Sequence, residues 1–533
     1  MRKKNLFYTF SVLLLLLLTG CREESFENDE TPGLQKNSQI NAKTTSGIYE
    51  SDYPYNLNVV YFIPSGSTAR PEYQRRVSEF MLAAQEYYRQ NMYNWGYGNR
   101  TFGLLKDIPT NRIKINVVYG KYPISTYNSS AGGQVLSEVN AWLAAHPTDK
   151  TSDHTIVFTA TPSLGTDIPY YGLGRTCFVG DHEANDYQYF NQNNVQGNQV
   201  KAYMGGFLHE LGHGLGLPHD ALPKSQQNQP GYGTSLMSWG NQTYGYSSTI
   251  LTKSAAAILN NSQPFSTTAK AAGYFYNQNH DFNVALTDFA VANGQIQVSG
   301  NYTVGSAVNA INVYFIPKTA YYHAVSGIAV NTGSNSFSAT VNISDLYLTD
   351  RDYNIVVQAQ FVDGGVSYET YDLPFNNGIP ESRLSLSRSL WSISTSSQHP
   401  AYPASLAIDG DINTYWHTNY TAGSVQSSPI AGQPQNFPYF FDIDTNQISP
   451  VSGVSFIQHQ QLVRTAKSFA IWTRNTTAEG WEFRYASNLS NTTARQYITF
   501  DVKKNARFIR IKFDNSYDGQ PYVAIPEVGA FLN

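Results

Sequence analysis

Residues 209–219 read His-Glu-Leu-Gly-His-Gly-Leu-Gly-Leu-Pro-His. His209 and His213 are four positions apart, so on a helix they lie on one face, one turn apart. Both imidazoles can therefore bind the same zinc ion. Glu210 follows the first histidine directly, where its carboxylate can act on a zinc-bound water instead of on the zinc. The segment predicts a zinc site that carries its own general base.

The end of this segment supplies a third ligand. Gly216 can adopt the positive φ that ends a helix in a sharp bend, and that bend would bring back His219. Three histidines and one water form an open catalytic zinc site, whereas four protein ligands close a structural one. The alternative is a helix whose surface histidines bind nothing.

The spacing resembles HExxHxxGxxH, the zinc-binding pattern of the metzincin endopeptidases. Met237, in the segment Ser-Leu-Met-Ser-Trp-Gly, matches the methionine turn that metzincins carry under the metal. Trp239 stands where astacin-like and serralysin-like members have a tyrosine ligand, so the resemblance implies three histidines and one water. Asp220 is similar to the acid of the adamalysin-like branch, in which this residue is structural.

Metzincins also carry an edge strand above the active-site helix, and substrate pairs with it. Residues 171–177, Tyr-Gly-Leu-Gly-Arg-Thr-Cys, resemble that strand. The resemblance implies that Leu173 and Gly174 bind substrate through main-chain hydrogen bonds. The alternative is an ordinary buried strand or loop.

The amino terminus is predicted to be an export signal. A basic start and an apolar run end at Cys21, which resembles the lipobox of bacterial lipoproteins, so residues 1–21 would be a lipoprotein signal peptide and Cys21 the lipidated residue. Residues 22–50 would form a flexible tether. Their acidic residues resemble the surface-export signals of Bacteroidetes lipoproteins, although a plain tether fits equally well. Cys177 would then be alone in the mature chain, and we expect it to be buried and inert.

Composition narrows the range of partners. The net charge is −4 and only 14% of residues are charged, without a basic stripe, so nucleic acid is not an expected partner. A lipid anchor would be the one contact with the membrane, at the bacterial outer membrane or cell surface. The 39 tyrosines suit sugar stacking and polar interfaces, but they also suit β-sandwich faces.

The fold class follows from the change of pattern along the chain. Residues 51–273 alternate strands and helices, which predicts an α/β (α+β) metalloprotease domain with a largely parallel sheet. Residues 274–378 contain short alternating strands with turn signals, which predicts an immunoglobulin-like β-sandwich, assigned as a spacer. A second β-rich domain, predicted to be a jelly roll, occupies residues 379–533.

The last domain resembles the discoidin-like, coagulation-factor 5/8 type C family. The resemblance rests on Trp391-Ser392, on the segment from Ala404 to Trp416 and on the final strands around Phe508 and Val528. Many bacterial members bind carbohydrate. The resemblance implies that oxygen atoms of four residues would suit calcium, namely Asp409, Asp411, Thr414 and Glu527. The alternative is that they only shape a turn. Aromatic residues on the loops are candidate glycan contacts, among them His417, Tyr420, His459 and Trp481.

Two functions remain as hypotheses. The first is a cell-surface zinc endopeptidase in which a zinc-activated water attacks the peptide bond and Glu210 accepts its proton. Its last domain would direct it to glycoproteins, including mucin-like ones. The second is a glycan-binding adhesin or nutrient-binding lipoprotein with a vestigial protease fold. An intact base at position 210 favours the first.

Overall fold

The computed structural model describes residues 48–533 except 165–166, 228, 277–279, 377 and 421–435. The predicted signal peptide, Cys21 and most of the tether lie outside the described residues. The chain forms two compact units. The first runs to Asp288 and also contains Gly294–Leu348 and Val356–Glu369, and the second contains Phe289–Asn293, Thr349–Ile355 and Thr370–Asn533. The first unit therefore combines the predicted protease domain with most of the predicted spacer.

In the described residues of the first unit up to Ile250, there are nine strands. They are β1 (Asn58–Ser65), β2 (Lys106–Asp107), β3 (Arg112–Ile113), β4 (Asn116–Pro123), β5 (Thr155–Ala160), β6 (Gly172–Leu173), β7 (Thr176–Asp181), β8 (Thr234–Ser235) and β9 (Thr249–Ile250). Five form one sheet in the order β4-β1-β5-β7-β6. All pairs in it are parallel except β6 with β7. The prediction of a largely parallel sheet is confirmed, with a single antiparallel strand at one edge.

Helices accompany this sheet. They are α1 (Tyr73–Asn94), α2 (Gly132–Ala145), α3 (Val195–Gly214), α4 (Lys224–Gln227), α5 (Asn241–Thr243) and α6 (Lys253–Asn261). The apolar residues of α1 recur every three or four positions and are buried in a core shared with α3. Asn194 caps α3, since its side chain accepts a hydrogen bond from the Gly197 amide over 2.8 Å. Because α3 packs on β6 and β7, its carboxyl end is held beside the antiparallel edge of the sheet.

Short strands follow from Phe282 onward. They are β10 (Phe282–Ala292), β11 (Gln295–Val304), β12 (Val308–Pro317), β13 (Val325–Ile328), β14 (Val330–Gly333), β15 (Ser336–Asn342), β16 (Tyr353–Phe361) and β17 (Val366–Leu373). The order β10-β11-β15-β14 forms a four-stranded sheet, and β12 pairs with β13 in antiparallel register. Strands are thus present in the region where alternation predicted them. The immunoglobulin-like topology stays a prediction.

The second unit is a large β-sandwich domain. Its strands are β18 (Phe375–Asn376), β19 (Ile379–Pro380), β20 (Ser385–Leu386), β21 (Ser392–Thr395), β22 (Trp416–His417), β23 (Tyr439–Ile457), β24 (Ser468–Arg474), β25 (Glu482–Asn488), β26 (Gln496–Phe513), β27 (Ala524–Ile525) and β28 (Glu527–Phe531). The long strand β23 pairs antiparallel with β21, β26 and β28. Trp416 is fully buried against Phe441 and Phe513, so this part of the predicted signature belongs to the core.

In the described part of the chain, no helix has both the length and the apolar character needed to cross a bilayer.

Candidate metal centre

The sequence from 209 to 219 folds as a helix end and a bend. Helix α3 stops at Gly214, and Gly216 has a φ of +92°. The Gly216 amide donates to His213 O over 2.8 Å, and the Leu217 amide donates to Gly212 O over 3.0 Å. This hydrogen-bond pair is the Schellman motif, which requires the left-handed residue at its centre. The predicted bend at Gly216 is confirmed, and it returns the chain toward the helix.

Three imidazoles converge at this bend. Nε2 of His219 lies 3.3 Å from Nε2 of His209 and 3.2 Å from Nε2 of His213. All three side chains are buried. Among the described residues, this triad is the only group of three or more His, Cys, Asp or Glu whose ligand atoms meet closely enough to hold a metal ion. The predicted ligands are therefore brought together and could bind a metal.

Main-chain carbonyl oxygens fix the Nδ1 atoms of two of the three histidines. Nδ1 of His209 lies 2.7 Å from Leu236 O, and Nδ1 of His213 lies 2.9 Å from Leu217 O. Since a carbonyl only accepts, each Nδ1 must carry the proton and each Nε2 keeps its lone pair. Burial, and then the neighbouring His209, lower the pKa of His213 to about 3. Both effects favour neutral imidazoles, which is the form that binds metals.

Glu210 lies in the same turn of α3 and is almost fully buried. Burial of the Cys177 thiol, and then the charge of Glu210, raise the pKa of this thiol. A Cβ built on Gly214 would lie 3.0 Å from Cys177 Sγ, so this cysteine packs against the last turn of α3. A buried thiol with a raised pKa is unreactive, as the sequence predicted.

Met237 lies under α3. A Cβ built on Gly212 would be 2.5 Å from Met237 Sδ, so only glycine at this helix position lets the methionine approach. Ser235, just before the methionine turn, donates to Asp220 Oδ1 over 2.7 Å, and Thr252 donates to the other oxygen. Burial raises the pKa of Asp220 to about 6. Asp220 therefore joins the turn to the amino terminus of α6, which is a structural role.

The predicted substrate edge lies beside the histidines. Strand β6 occupies the edge of the sheet, with Leu173 opposite Thr176. A Cβ on Gly172 would lie 2.2 Å from His213 Cβ, so the glycine lets the edge contact the second histidine of the triad. Gly174 has a φ of +56° and belongs to the tight turn after the strand. Substrate binding by Leu173 and Gly174 stays a prediction.

One residue at the centre was missed by sequence reasoning. Tyr322, from the segment assigned as a spacer, has its ring centroid 4.2 Å from that of His219 and 5.0 Å from that of Trp239. No motif marks this tyrosine, because it reaches the site through a tertiary contact between distant parts of the chain. The predicted spacer thus supplies part of the wall around the histidines.

Three of the predicted calcium ligands lie in one turn, and the fourth, Glu527 at the start of β28, accepts a hydrogen bond from that turn. Thr414 donates to Asp409 Oδ2 over 2.7 Å, the Asp411 amide donates to Asp409 Oδ1 over 2.9 Å, and the Gly410 amide donates to Glu527 Oε1 over 2.9 Å. Arg388, which sequence reasoning did not single out, pairs with the buried Glu527 carboxylate. These contacts shape the turn, and calcium binding stays a prediction.

Three of the predicted glycan contacts meet in an aromatic cluster of the second unit. His417 and Tyr420 have ring centroids 4.9 Å apart, and Tyr415 connects His459 to the group. His399 stacks on Tyr420 at 4.3 Å. We call this group, with Tyr402 and Tyr522, the His–Tyr cluster. The fourth candidate, Trp481, instead contacts two guanidinium groups, those of Arg474 and Arg510.

Two kinds of known protein match large parts of the chain. Residues 392–528 match the F5/8 type C domain. The crystal structure of wild-type OgpA from Akkermansia muciniphila is 31% identical, with a TM-score of 0.55, and the match covers 65% of this chain and 97% of OgpA. A catalytically inactive OgpA in complex with an O-glycopeptide substrate, glycodrosocin, is also 31% identical, with a TM-score of 0.56 and 65% and 96% coverage.

A weaker match concerns one part of a larger protein. Galactose oxidase from Gibberella zeae is 26% identical over 170 residues, which are 29% of this chain and 23% of the oxidase. The chain thus spans less than a quarter of the length of this relative.

Proposed function

The chain belongs to the same family as OgpA, and from that premise we propose that it is a zinc-dependent endopeptidase of the metzincin type that cleaves O-glycosylated proteins. The observation that carries the proposal is the buried triad of His209, His213 and His219 next to Glu210. The complex of inactive OgpA with an O-glycopeptide supports the substrate class.

The triad fits zinc in distance and in chemistry. Two nitrogen ligands of a tetrahedral zinc ion, each at about 2.0 to 2.1 Å, are about 3.3 Å apart. The separations from Nε2 of His219 to the other two Nε2 atoms, 3.3 and 3.2 Å, agree with that value. Main-chain carbonyls hold two of the rings through Nδ1, and such carbonyls commonly accept the Nδ1 proton of metal-binding histidines. Three nitrogen ligands would leave one position open for water or substrate.

The metal site and Glu210 would have different roles in peptide hydrolysis. When bound, zinc would polarise the scissile carbonyl and lower the pKa of water at the open position. Glu210 would accept the proton of the attacking water and deliver it to the leaving amine. Its position directly after His209, almost fully buried beside the triad, supports this role. Trp239 in the methionine turn leaves the three histidines as the ligand set.

The sheet edge would align the substrate. Strand β6 is antiparallel to β7 and lies at the edge, so its outer side can pair with an extended peptide. Gly172 holds this edge against His213, which would bring the peptide bond near the metal. Leu173 would supply the main-chain hydrogen bonds, with Gly174 in the adjoining turn.

The second unit would concentrate the enzyme on glycosylated material. An F5/8 type C domain and the His–Tyr cluster, in which Tyr420 is exposed, support carbohydrate binding, because aromatic faces stack on sugars. Linking this domain to a protease raises the effective concentration of substrate at the metal centre. We further propose that Cys21 anchors the protein to a bacterial surface, on the strength of the lipobox-like sequence.

The proposal is tested with one O-glycosylated peptide and a peptide of the same sequence without the glycan. We expect mass spectrometry to find cleavage of the glycosylated peptide alone, loss of cleavage with a zinc chelator and recovery on adding zinc. Metal analysis of the purified protein should find zinc. Zinc binding without cleavage of any glycopeptide or glycoprotein would instead favour a glycan-binding surface protein with a vestigial protease fold.

A further inference from the structure

A segment from the β-sandwich part of the first unit is hydrogen-bonded to the chain just after the third histidine. The segment is the short turn Tyr321–His323 and the start of β13. The Ala221 amide donates to Ala324 O over 2.6 Å, and the Ser326 amide donates to Ala221 O over 3.3 Å. These contacts form a parallel bridge between Ala221 and Val325. The segment is thereby tied two residues away from His219.

The bridge holds the ring of Tyr322 against the histidines. Its centroid lies 4.2 Å from that of His219 and 5.9 Å from that of His209. The side chain of Trp239 stacks on it at 5.0 Å with an interplanar angle of 23°. Ser238 Oγ donates to Tyr322 O over 2.6 Å, which fixes the main chain of the tyrosine to the methionine turn. Tyr322 is therefore held at both its main chain and its ring.

His219 is the ligand that most needs such a contact. Main-chain carbonyls orient His209 and His213 through Nδ1. Within the described part of the chain, the Nδ1 atom of His219 forms no such hydrogen bond. Its imidazole has ring contacts with the other two histidines and with Tyr322. Because no protein group in that part of the chain holds Nδ1 of His219, the rings packed on its imidazole set the orientation.

We propose that Tyr322 is a positioning residue of the metal centre, whose ring holds the His219 imidazole in the orientation that binds the metal. This inference rests on the proposed zinc site and adds a residue from outside the metzincin-like pattern. The proposed positioning acts through the aromatic ring, which phenylalanine also has, so phenylalanine should keep the zinc-release rate of the wild type. Removing the ring should free the rotation of His219 and speed the release of zinc.

The test compares zinc release to a colorimetric chelator from the wild-type protein and from Tyr322→Ala, Tyr322→Leu and Tyr322→Phe. We expect alanine and leucine to speed release about tenfold, as loss of an outer partner of a metal ligand does, and phenylalanine to match the wild type. Cobalt-substituted protein gives a second readout. Its visible absorption bands should be unchanged in the phenylalanine variant and shifted in the other two, because the ligand geometry changes.

Tyr321→Ala is the matched control. Tyr321 is in the same turn but packs on the sandwich cluster that contains Tyr314 and Ile316. The proposal would be overturned if Tyr321→Ala released zinc as fast as Tyr322→Ala does. It would also be overturned if a folded Tyr322→Ala protein released zinc at the wild-type rate. If Tyr322→Ala does not fold, the test compares zinc release from Tyr322→Leu with release from Tyr322→Phe. Equal release rates from these two variants would overturn the proposal. A wild-type protein that takes up no zinc overturns the proposed function as well, whereas zinc uptake with unaffected Tyr322 variants overturns only the positioning role.

Discussion

Gly172 and His213 approach so closely that a Cβ on the glycine would lie 2.2 Å from the Cβ of the histidine. The edge strand and the metal centre thus share a contact that no side chain larger than hydrogen permits. Under the proposed function, this contact would couple the alignment of substrate on the edge strand to the position of His213.

Gly172→Ala should therefore damage catalysis. The new methyl group must push either β6 or His213 away, and a displacement of about 1 Å at a catalytic site costs about a hundredfold in rate. The measurement is kcat/KM on the O-glycosylated peptide. Gly133→Ala on α2 is the matched control, since a Cβ there meets no atom within 4 Å. An alanine variant at 172 that cleaves like the control would show that the edge tolerates displacement.

Glu210→Gln tests the general base. The amide has nearly the same shape but cannot accept the proton, so we expect kcat to fall by about 10² to 10⁴-fold. Zinc content should not change, because the three histidines remain. Metal analysis and single-turnover assays measure the two effects separately. If the variant keeps wild-type turnover, Glu210 is not the base.

Tyr420→Ala tests the His–Tyr cluster. Tyr420 is 47% exposed and stacks on His399, so the exposed part of its ring could contact a sugar. Losing an aromatic contact worth about 0.5 to 1.5 kcal/mol should weaken glycan binding by about 2- to 13-fold. Binding of the full chain to immobilised mucin measures this. Trp481→Ala is the control, because Trp481 contacts Arg474 and Arg510, and equal losses in both variants would count against the cluster.

His154 gives a prediction for pH dependence. Burial, and then the charge of Arg175, lower the pKa of His154 to about 3 from 6.5. Its Nδ1 atom contacts Gly214 O over 2.7 Å. Above pH 6.5 the residue is neutral in both states. As the pH falls from 6.5 toward 3, the unfolded chain takes up the proton and the folded chain does not, so stability is lost.

The loss should amount to at most about 1.4 kcal/mol per pH unit below the unfolded pKa. We therefore expect the Tm of the wild type to fall more steeply on acidification than that of His154→Gln, which cannot titrate. The glutamine variant should start from a lower Tm, because a contact is lost. If the Tm of the two proteins changed with pH in parallel, His154 would not titrate in this way.

Arg388→Met tests the turn in the second unit. Glu527 is buried and pairs with Arg388, so removing the guanidinium leaves an uncompensated carboxylate and should cost about 3 to 5 kcal/mol. Calorimetry of the full chain measures the change. If Asp409, Asp411, Thr414 and Glu527 bind calcium as predicted, calcium should restore part of this loss. No effect of calcium on either protein would favour a purely structural turn.

The parts of the site that were predicted correctly are local in sequence. His209, His213, Gly216 and His219 lie within eleven residues, and helix geometry together with one left-handed glycine places them. The sheet was predicted because its strands and helices have strong apolar periodicity. Gly174 was assigned to the edge strand because the sequence of residues 171–177 does not show where the strand ends and its turn begins.

The contacts that were missed join distant segments. Tyr322 reaches His219, and Arg388 reaches Glu527, only after the chain has folded. Neither residue has a spacing, charge pattern or neighbour that distinguishes it from ordinary surface tyrosines and arginines. Long-range partners of this kind are set by tertiary packing, which a single sequence does not display.

The bridge between Ala221 and Val325 also sets the order in which the centre can be completed. During synthesis the three histidines leave the ribosome long before β13, and contacts between such distant segments form late in folding. Until β13 has been made, His219 lacks the tyrosine ring beside it. In a nascent chain, the third histidine would therefore not yet have the contact that holds its ring.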